Sequence, residues 1–126
     1  MDKDTNALNW FEIPVTDMAR ATKFYETIFD FVMFPMDMPG FSMTGFPPQD
    51  MNKVGGALVK SEYHKPSSTG VFVYLNANPD LQLVLDRVES AGGKIMHAKT
   101  QITEDIGYMA FIIDSEGNSI ALHSSN

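Results

Sequence analysis

Glu12, Tyr74, Asn76 and His123 are the polar side chains whose positions suggest chemistry. Each stands in a short alternating run, the pattern of a strand with two distinct faces. In "NWFEIPV" Trp10, Glu12 and Pro14 share one face, against Phe11, Ile13 and Val15 on the other. A carboxylate pointing into an apolar cleft can act as a general base or accept a ligand's hydrogen bond. A structural pair, or a place at a wet rim, would suit Glu12 equally. Trp10, the only tryptophan, offers a ring that stacks on a planar ligand or simply fills space. In "GVFVYLNA" Phe72, Tyr74 and Asn76 share a face. Tyr74 supplies an aromatic wall and a phenol donor, Asn76 both a donor and an acceptor, and Phe72 a ligand contact or an ordinary core aromatic. Near the C-terminus, Ala121 and His123 lie on one face. His123 is either a proton carrier near neutral pH or a solvated side chain. His64 and His97 fall in or beside loops and receive no role. Met33, Met36, Met38, Met43 and Met51 cluster with Phe34, Phe41 and Phe46. Such side chains make a pliable apolar wall around a ligand, or else anchor loops and a dimer contact.

The elements that must position these residues come twice, in the same order. After the first alternating run, Thr16 or Asp17 caps a helix over about 17–29, with Met18, Ala21, Phe24, Tyr25 and Ile28 at helical spacing. "VMFPMDMPGFSMTGFPPQD" is broken by Pro and Gly into short strands and loops, and "KVGGALVKSE" is a further strand. Its double glycine suggests a bulge or a close approach. The second half repeats the series: a strand over 70–77, then a helix over about 79–91, then "KIMHAKTQI", "GYMAFIID" and a final strand after the turn "DSEGN". Asn78 is the expected cap of that helix, Pro79 its first residue and Gly92 its end. The buried stripe is Leu81, Val84, Leu85 and Val88. With one helix for several strands in each half, each sheet packs one face on a helix and leaves the other free. The expected modules are about 8–63 and 69–124 within one domain.

Composition excludes several functions. With 126 residues and 44% hydrophobic content, the chain can bury one core. A net charge of -7 and scattered basic residues argue against nucleic-acid binding. Without cysteine there is no disulfide framework or thiolate chemistry. No apolar run approaches the roughly 20 residues that span a bilayer, and "MDKDTNALNW" lacks a signal segment, so no membrane partner and a cytoplasmic location are expected.

"FEIPVTDMARATKFYETIFDF", "GGKIMHAKTQI" and "GYMAFIIDSEGNSIALHS" resemble the vicinal oxygen chelate superfamily of glyoxalases, bleomycin-resistance proteins and extradiol dioxygenases. Asp17, Arg20, Ala21, Phe24 and Tyr25, with Asp114, Gly117 and Asn118, carry the likeness, which covers about residues 9–124. The resemblance implies an α+β fold of two βαβββ modules forming an incomplete barrel around a cleft. It also implies four strand positions for metal ligands. These fall at Trp10, at or beside Gly56, at about Phe72 and at Ala121, and none has a metal-binding side chain. A slip of two residues brings in Glu12, Tyr74 and His123, a weak and irregular set at most.

The expected function is therefore a protein with no metal or other cofactor that binds a small apolar or aromatic molecule. Trp10, Phe72, Tyr74, Asn76, Met33 and Phe41 would be its ligand contacts. The alternative is a metal-independent lyase or isomerase with Glu12 as general base and Tyr74 or His123 stabilising an oxyanion. A homodimer is expected, because pairing covers sheet edges and apolar rims.

Overall fold

A computed structural model describes residues 1–126 except the side chain of Asp37. The first half contains β1 (Trp10–Pro14), α1 (Met18–Phe29), β2 (Phe34–Met38), β3 (Phe41–Gly45) and β4 (Gly55–Lys60). The second contains β5 (Tyr74–Asn76), α2 (Leu81–Val88), β6 (Lys94–Thr103), β7 (Gly107–Ile113) and β8 (Ser119–Ser124). Each half builds a four-stranded sheet, in the orders β1-β4-β3-β2 and β5-β8-β7-β6. The first strand of each joins the last in parallel, and the other pairings are antiparallel. The α+β class and the repeated βαβββ order are those the sequence indicates. The sheets are open and do not close into a barrel.

Asp17 caps α1, its side chain accepting from the Arg20 N–H at 3.0 Å. The helix buries Ala21, Phe24, Tyr25 and Ile28. The second helix is shorter than its pattern suggests, and Asp80 caps it by accepting from the Gln82 N–H. Asn78 is not the cap because its side chain is spent elsewhere. It accepts from Ser125 N at 2.8 Å and donates to Asn76 Oδ1 at 2.9 Å. The expected stripe of Leu81, Val84, Leu85 and Val88 is buried. Gly92, at φ 104°, turns the chain just beyond the helix in a conformation that favours glycine.

The strand expected over 70–77 is regular only at Tyr74–Asn76. Upstream, Ser119 gives its N–H to Ser67 O and its hydroxyl to Ser68 O, so the loop hugs the start of β8 without a continuous ladder. Val71 is consequently 92% exposed.

One core lies between the two helices and the helix-facing sides of both sheets, with Phe24, Tyr25, Ile28, Leu58, Leu81 and Leu122 fully buried. A small second cluster of Met43, Ala57 and Val59, joined by Met36 and Phe41, sits apart from it.

The halves are fastened at one corner. Glu116, in the turn before β8, accepts from Thr16 N at 2.8 Å and Asp17 N at 2.7 Å at the start of α1. The same carboxylate accepts from Arg20 Nε at 2.7 Å. Deeper in, the Tyr25 hydroxyl donates to Asp114 Oδ2 at 2.6 Å. Asn118 Nδ2 donates to Pro14 O at 2.7 Å and to the same Asp114 oxygen at 3.0 Å. Arg87 on α2 donates to Ile28 O at 3.2 Å. No helix among the described residues is long and apolar enough to cross a membrane.

Candidate functional site

Strand parity settles which residues share a surface. Trp10 lies opposite Gly55 and Glu12 opposite Ala57. Across the next pairing Ala57 meets Gly45, and Val59 meets Met43. Trp10, Glu12, Ala57, Val59 and Met43 thus stand on the sheet face away from the main core. Gly56 is on the other face, where a Cβ would lie 2.4 Å from the Phe11 ring. The strand position facing Trp10 and Glu12 is therefore Gly55 or Ala57, the neighbours of Gly56. Glycine at 55 leaves room for the indole, which a Cβ there would meet at 3.4 Å.

In the second sheet Tyr74, Ala121 and Phe111 are cross-strand neighbours. Phe72 packs on Phe111 with ring centres 5.0 Å apart, and Tyr74 meets the same ring edge-on at 6.4 Å. Ala121 is fully buried beneath this aromatic row.

β1 and β5 are the end strands of their sheets, and three grooves lie near them, two lined from both halves and one by the second half alone. The largest of them, about 930 Å³, has walls of Phe11, Phe31, Val54, Phe72 and Tyr74, with Asn76 among its polar groups. Another, about 390 Å³, is bordered by Trp10, Glu12, Lys65, Val73 and Ser119. A third, about 490 Å³, brings His123 beside Tyr74, Asn76, Ile102 and Ile106. The residues that the sequence places in one cleft are thus divided among adjoining grooves. Phe72, Tyr74 and Asn76 share the largest, Trp10 and Glu12 the second, and His123 the third. Phe41 belongs to the small cluster on the first sheet. Met33 does not stand on a ligand-facing wall: it is 5% exposed in the main core, and its N–H donates to Glu26 Oε2 at 3.0 Å.

His64, which has no role by sequence pattern, meets Glu12. Its Nε2 lies 3.4 Å from Glu12 Oε2, and its Nδ1 lies 2.6 Å from Ser61 Oγ. With the Ser61 hydroxyl donating to Nδ1, the ring proton sits on Nε2 and faces the carboxylate. Phe41 covers the imidazole at right angles, ring centres 6.1 Å apart. Period-two parity along β4 carries Ala57, Val59 and then Ser61 to the face of Glu12. That signal was in the sequence; the turn returning His64 to the same place left no pattern.

His123 Nε2 lies 2.7 Å from Ile106 O, and a carbonyl can only accept, so Nε2 carries a hydrogen and donates it there. A strongly depressed carboxyl lies outside these grooves, in the turn before β8. Burial alone would raise the Glu116 carboxyl, but the Arg20 hydrogen bond and the N–H groups of Asp17 and Thr16 outweigh it and bring it down to about 2.

A metal does not fit the positions where metal-using relatives of this fold would hold one. Trp10, Gly55 or Ala57, Phe72 and Ala121 present no donor atom of the kind a divalent ion needs. Among the described residues no three His, Asp or Glu side chains gather closely enough to hold an ion.

A family model described as the Glyoxalase/Bleomycin resistance protein/Dioxygenase superfamily matches residues 7–122. CFP32 of Mycobacterium bovis, a protein named as a glyoxylase, is 25% identical over 122 residues, covering 94% of this chain and 45% of that protein. The chain therefore spans about half the length of that relative. A glyoxylase-like domain-containing protein of Didymella fabae is 29% identical over 119 residues, covering 91% of each chain. Among solved structures, a glyoxalase/bleomycin resistance protein from Albidiferax ferrireducens superposes with a TM-score of 0.69 at 14% identity, covering 94% of this chain and 98% of that one. At that identity the likeness is one of fold.

Proposed function

The chain belongs to the Glyoxalase/Bleomycin resistance protein/Dioxygenase superfamily, and we propose that it is a member without a metal that binds a small apolar or aromatic molecule between its two sheets. What carries this reading is a contrast at the edges of β1 and β5. The metal positions are filled by Trp10, glycine or alanine, Phe72 and Ala121, while beside them an aromatic groove of about 930 Å³ stands open. Grooves of that size and lining, with a few placed polar groups, suit small-molecule binding. Phe72 and Tyr74 are 44% and 51% exposed, so their rings are available to an occupant.

Amide chemical-shift mapping with a panel of aromatic fragments tests the reading. Shifts should cluster on Phe11 and on residues 71–76, and Phe72→Ala should weaken them. A panel that perturbs none of these amides overturns it. Elemental analysis after purification without chelator checks the other half of the proposal: one tightly held metal ion per chain would end it.

The contact of Glu12 with His64 favours a second reading, in which the chain is a metal-independent lyase or isomerase. Glu12 would take a proton next to a carbonyl, and His64 would orient it. Glu12→Gln separates the two. A binding protein keeps its affinity, because Glu12 borders a different groove from the one proposed for the ligand. An enzyme keeps binding and loses at least about 100-fold in turnover.

A homodimer completes the proposal. Pairing with a second copy would cover open sheet edges and apolar rims outside the groove.

A further inference from the structure

The polar groups of the largest groove are biased toward donors. Lys53 brings the only formal charge among its lining residues. No ion pair among the described residues uses it. The amide oxygens nearby are engaged, that of Asn76 twice and that of Asn78 once. Asn76 Oδ1 receives the Asn78 N–H at 3.0 Å and the Asn78 Nδ2 at 2.9 Å. Asn78 Oδ1 receives the Ser125 N–H at 2.8 Å. A backbone N–H bonded to Asn76 Oδ1 fixes which end of that amide is oxygen, and so leaves Nδ2 as an unspent donor. Tyr74 also lines the groove, and its hydroxyl can donate as well as accept. An ammonium, an amide N–H and a phenol, set among aromatic walls, match an acceptor-rich anion on an apolar body. They match a cation poorly.

The rest of the chain makes this bias more telling. At a net charge of -7 the protein as a whole repels anions. A lone lysine in the groove acts at close range, inside the roughly 8 Å over which physiological salt leaves a charge felt.

We infer that the groove takes an aromatic or aliphatic carboxylic acid, its carboxylate paired with Lys53 and its apolar body between Phe11, Phe31 and Phe72. The inference rests on this groove being the ligand site, and it names the class of ligand.

The test uses the whole chain and three probes of one shape: naphthoate, naphthamide and naphthylmethylamine, titrated by calorimetry at low and at physiological salt. Naphthoate should bind about tenfold or more tighter than naphthamide, the amount a charge-assisted contact supplies. The amine should bind more weakly than either. Lys53→Met should bring naphthoate to the affinity of naphthamide and leave naphthamide unchanged, which also shows that the variant is folded. Added salt should narrow the preference in the wild type and do nothing in Lys53→Met. Equal binding of all three probes overturns the carboxylate inference and leaves the groove as a ligand site. A preference for naphthoate that survives Lys53→Met overturns the role of Lys53. If no probe binds, the groove itself fails as a ligand site and the inference fails with it.

Discussion

Replacing Glu116 by Gln should remove a pH-dependent part of the stability that can be sized from the structure. The Glu116 side chain is fully buried, and its carboxylate accepts from Thr16 N, Asp17 N, Arg20 and the Ser115 hydroxyl. These contacts hold its pKa at about 2, against an ordinary 4.5. The unfolded chain takes up its proton at the higher value, so the stabilisation is fully present above about pH 4.5 and lost as the pH falls toward 2. The full shift corresponds to about 3.4 kcal/mol. Arg20 is 53% exposed, and water screens the pair, which leaves roughly 1.5–2.5 kcal/mol in practice. Urea unfolding of wild type and Glu116→Gln at matched pH reads the difference directly. At neutral pH the midpoints should differ by about 1 M, with equal slopes. By about pH 3 less than half of the pH-dependent gap should remain, roughly as a carboxyl with those two pKa values requires. Other carboxylates titrate in both proteins and cancel. A gap that stays constant from neutral pH to about pH 3 would refute the assignment, because it would mean that the charge of Glu116 does nothing in the folded state.

Tyr25→Phe should cost about 1–2 kcal/mol, since it leaves a buried Asp114 oxygen short of a donor, and chemical denaturation at neutral pH measures it. The Tyr25 phenol is held well above its ordinary range, by burial first and then by the Asp114 carboxylate. In alkaline ultraviolet titration, one of the four tyrosines should therefore ionise only as the chain unfolds. Gly56→Ala should destabilise by about 1–3 kcal/mol, because its Cβ would sit 2.4 Å from the Phe11 ring and force that ring aside; thermal melting reads it. Light scattering should give twice the chain mass at micromolar concentration, and a monomer there would count against the proposed pairing.

Much of the fold was legible in local patterns. The alternation in "NWFEIPV" put Phe11, Ile13 and Val15 on one face and Trp10 and Glu12 on the other; the structure keeps that division and turns the first face to the core. Helical spacing identified Ala21, Phe24, Tyr25 and Ile28, and likewise Leu81, Val84, Leu85 and Val88. What alternation cannot carry is where one sheet stands against the other. Trp10 and Tyr74 each occupy the expected face of a strand, yet they line different grooves, because the gap between β1 and β5 is set by packing of the helices and by loop 67–73. Asn78 failed as a cap for the same kind of reason. Its competing partner, Ser125, lies 47 positions along the chain.

The residues that make the family recognisable have a physical task unrelated to any reaction. Asp17 caps α1, Arg20 binds Glu116, Tyr25 donates to Asp114, and Asn118 ties Asp114 to Pro14. Together they hold the first strand and helix of one half to the last turn of the other. The two grooves lined from both halves, one with Phe72 and Tyr74 and the other with Trp10 and Glu12, lie between parts that this corner joins. A chain can therefore keep the whole signature while glycine, alanine and aromatic residues replace a set of metal ligands, because the signature stabilises the frame and leaves the lining free to change. Membership in the family and the chemistry of the groove are separate questions. In this chain the proposed answer to the second rests on Lys53, Asn76, Tyr74 and the Glu12–His64 contact, none of which fastens this corner.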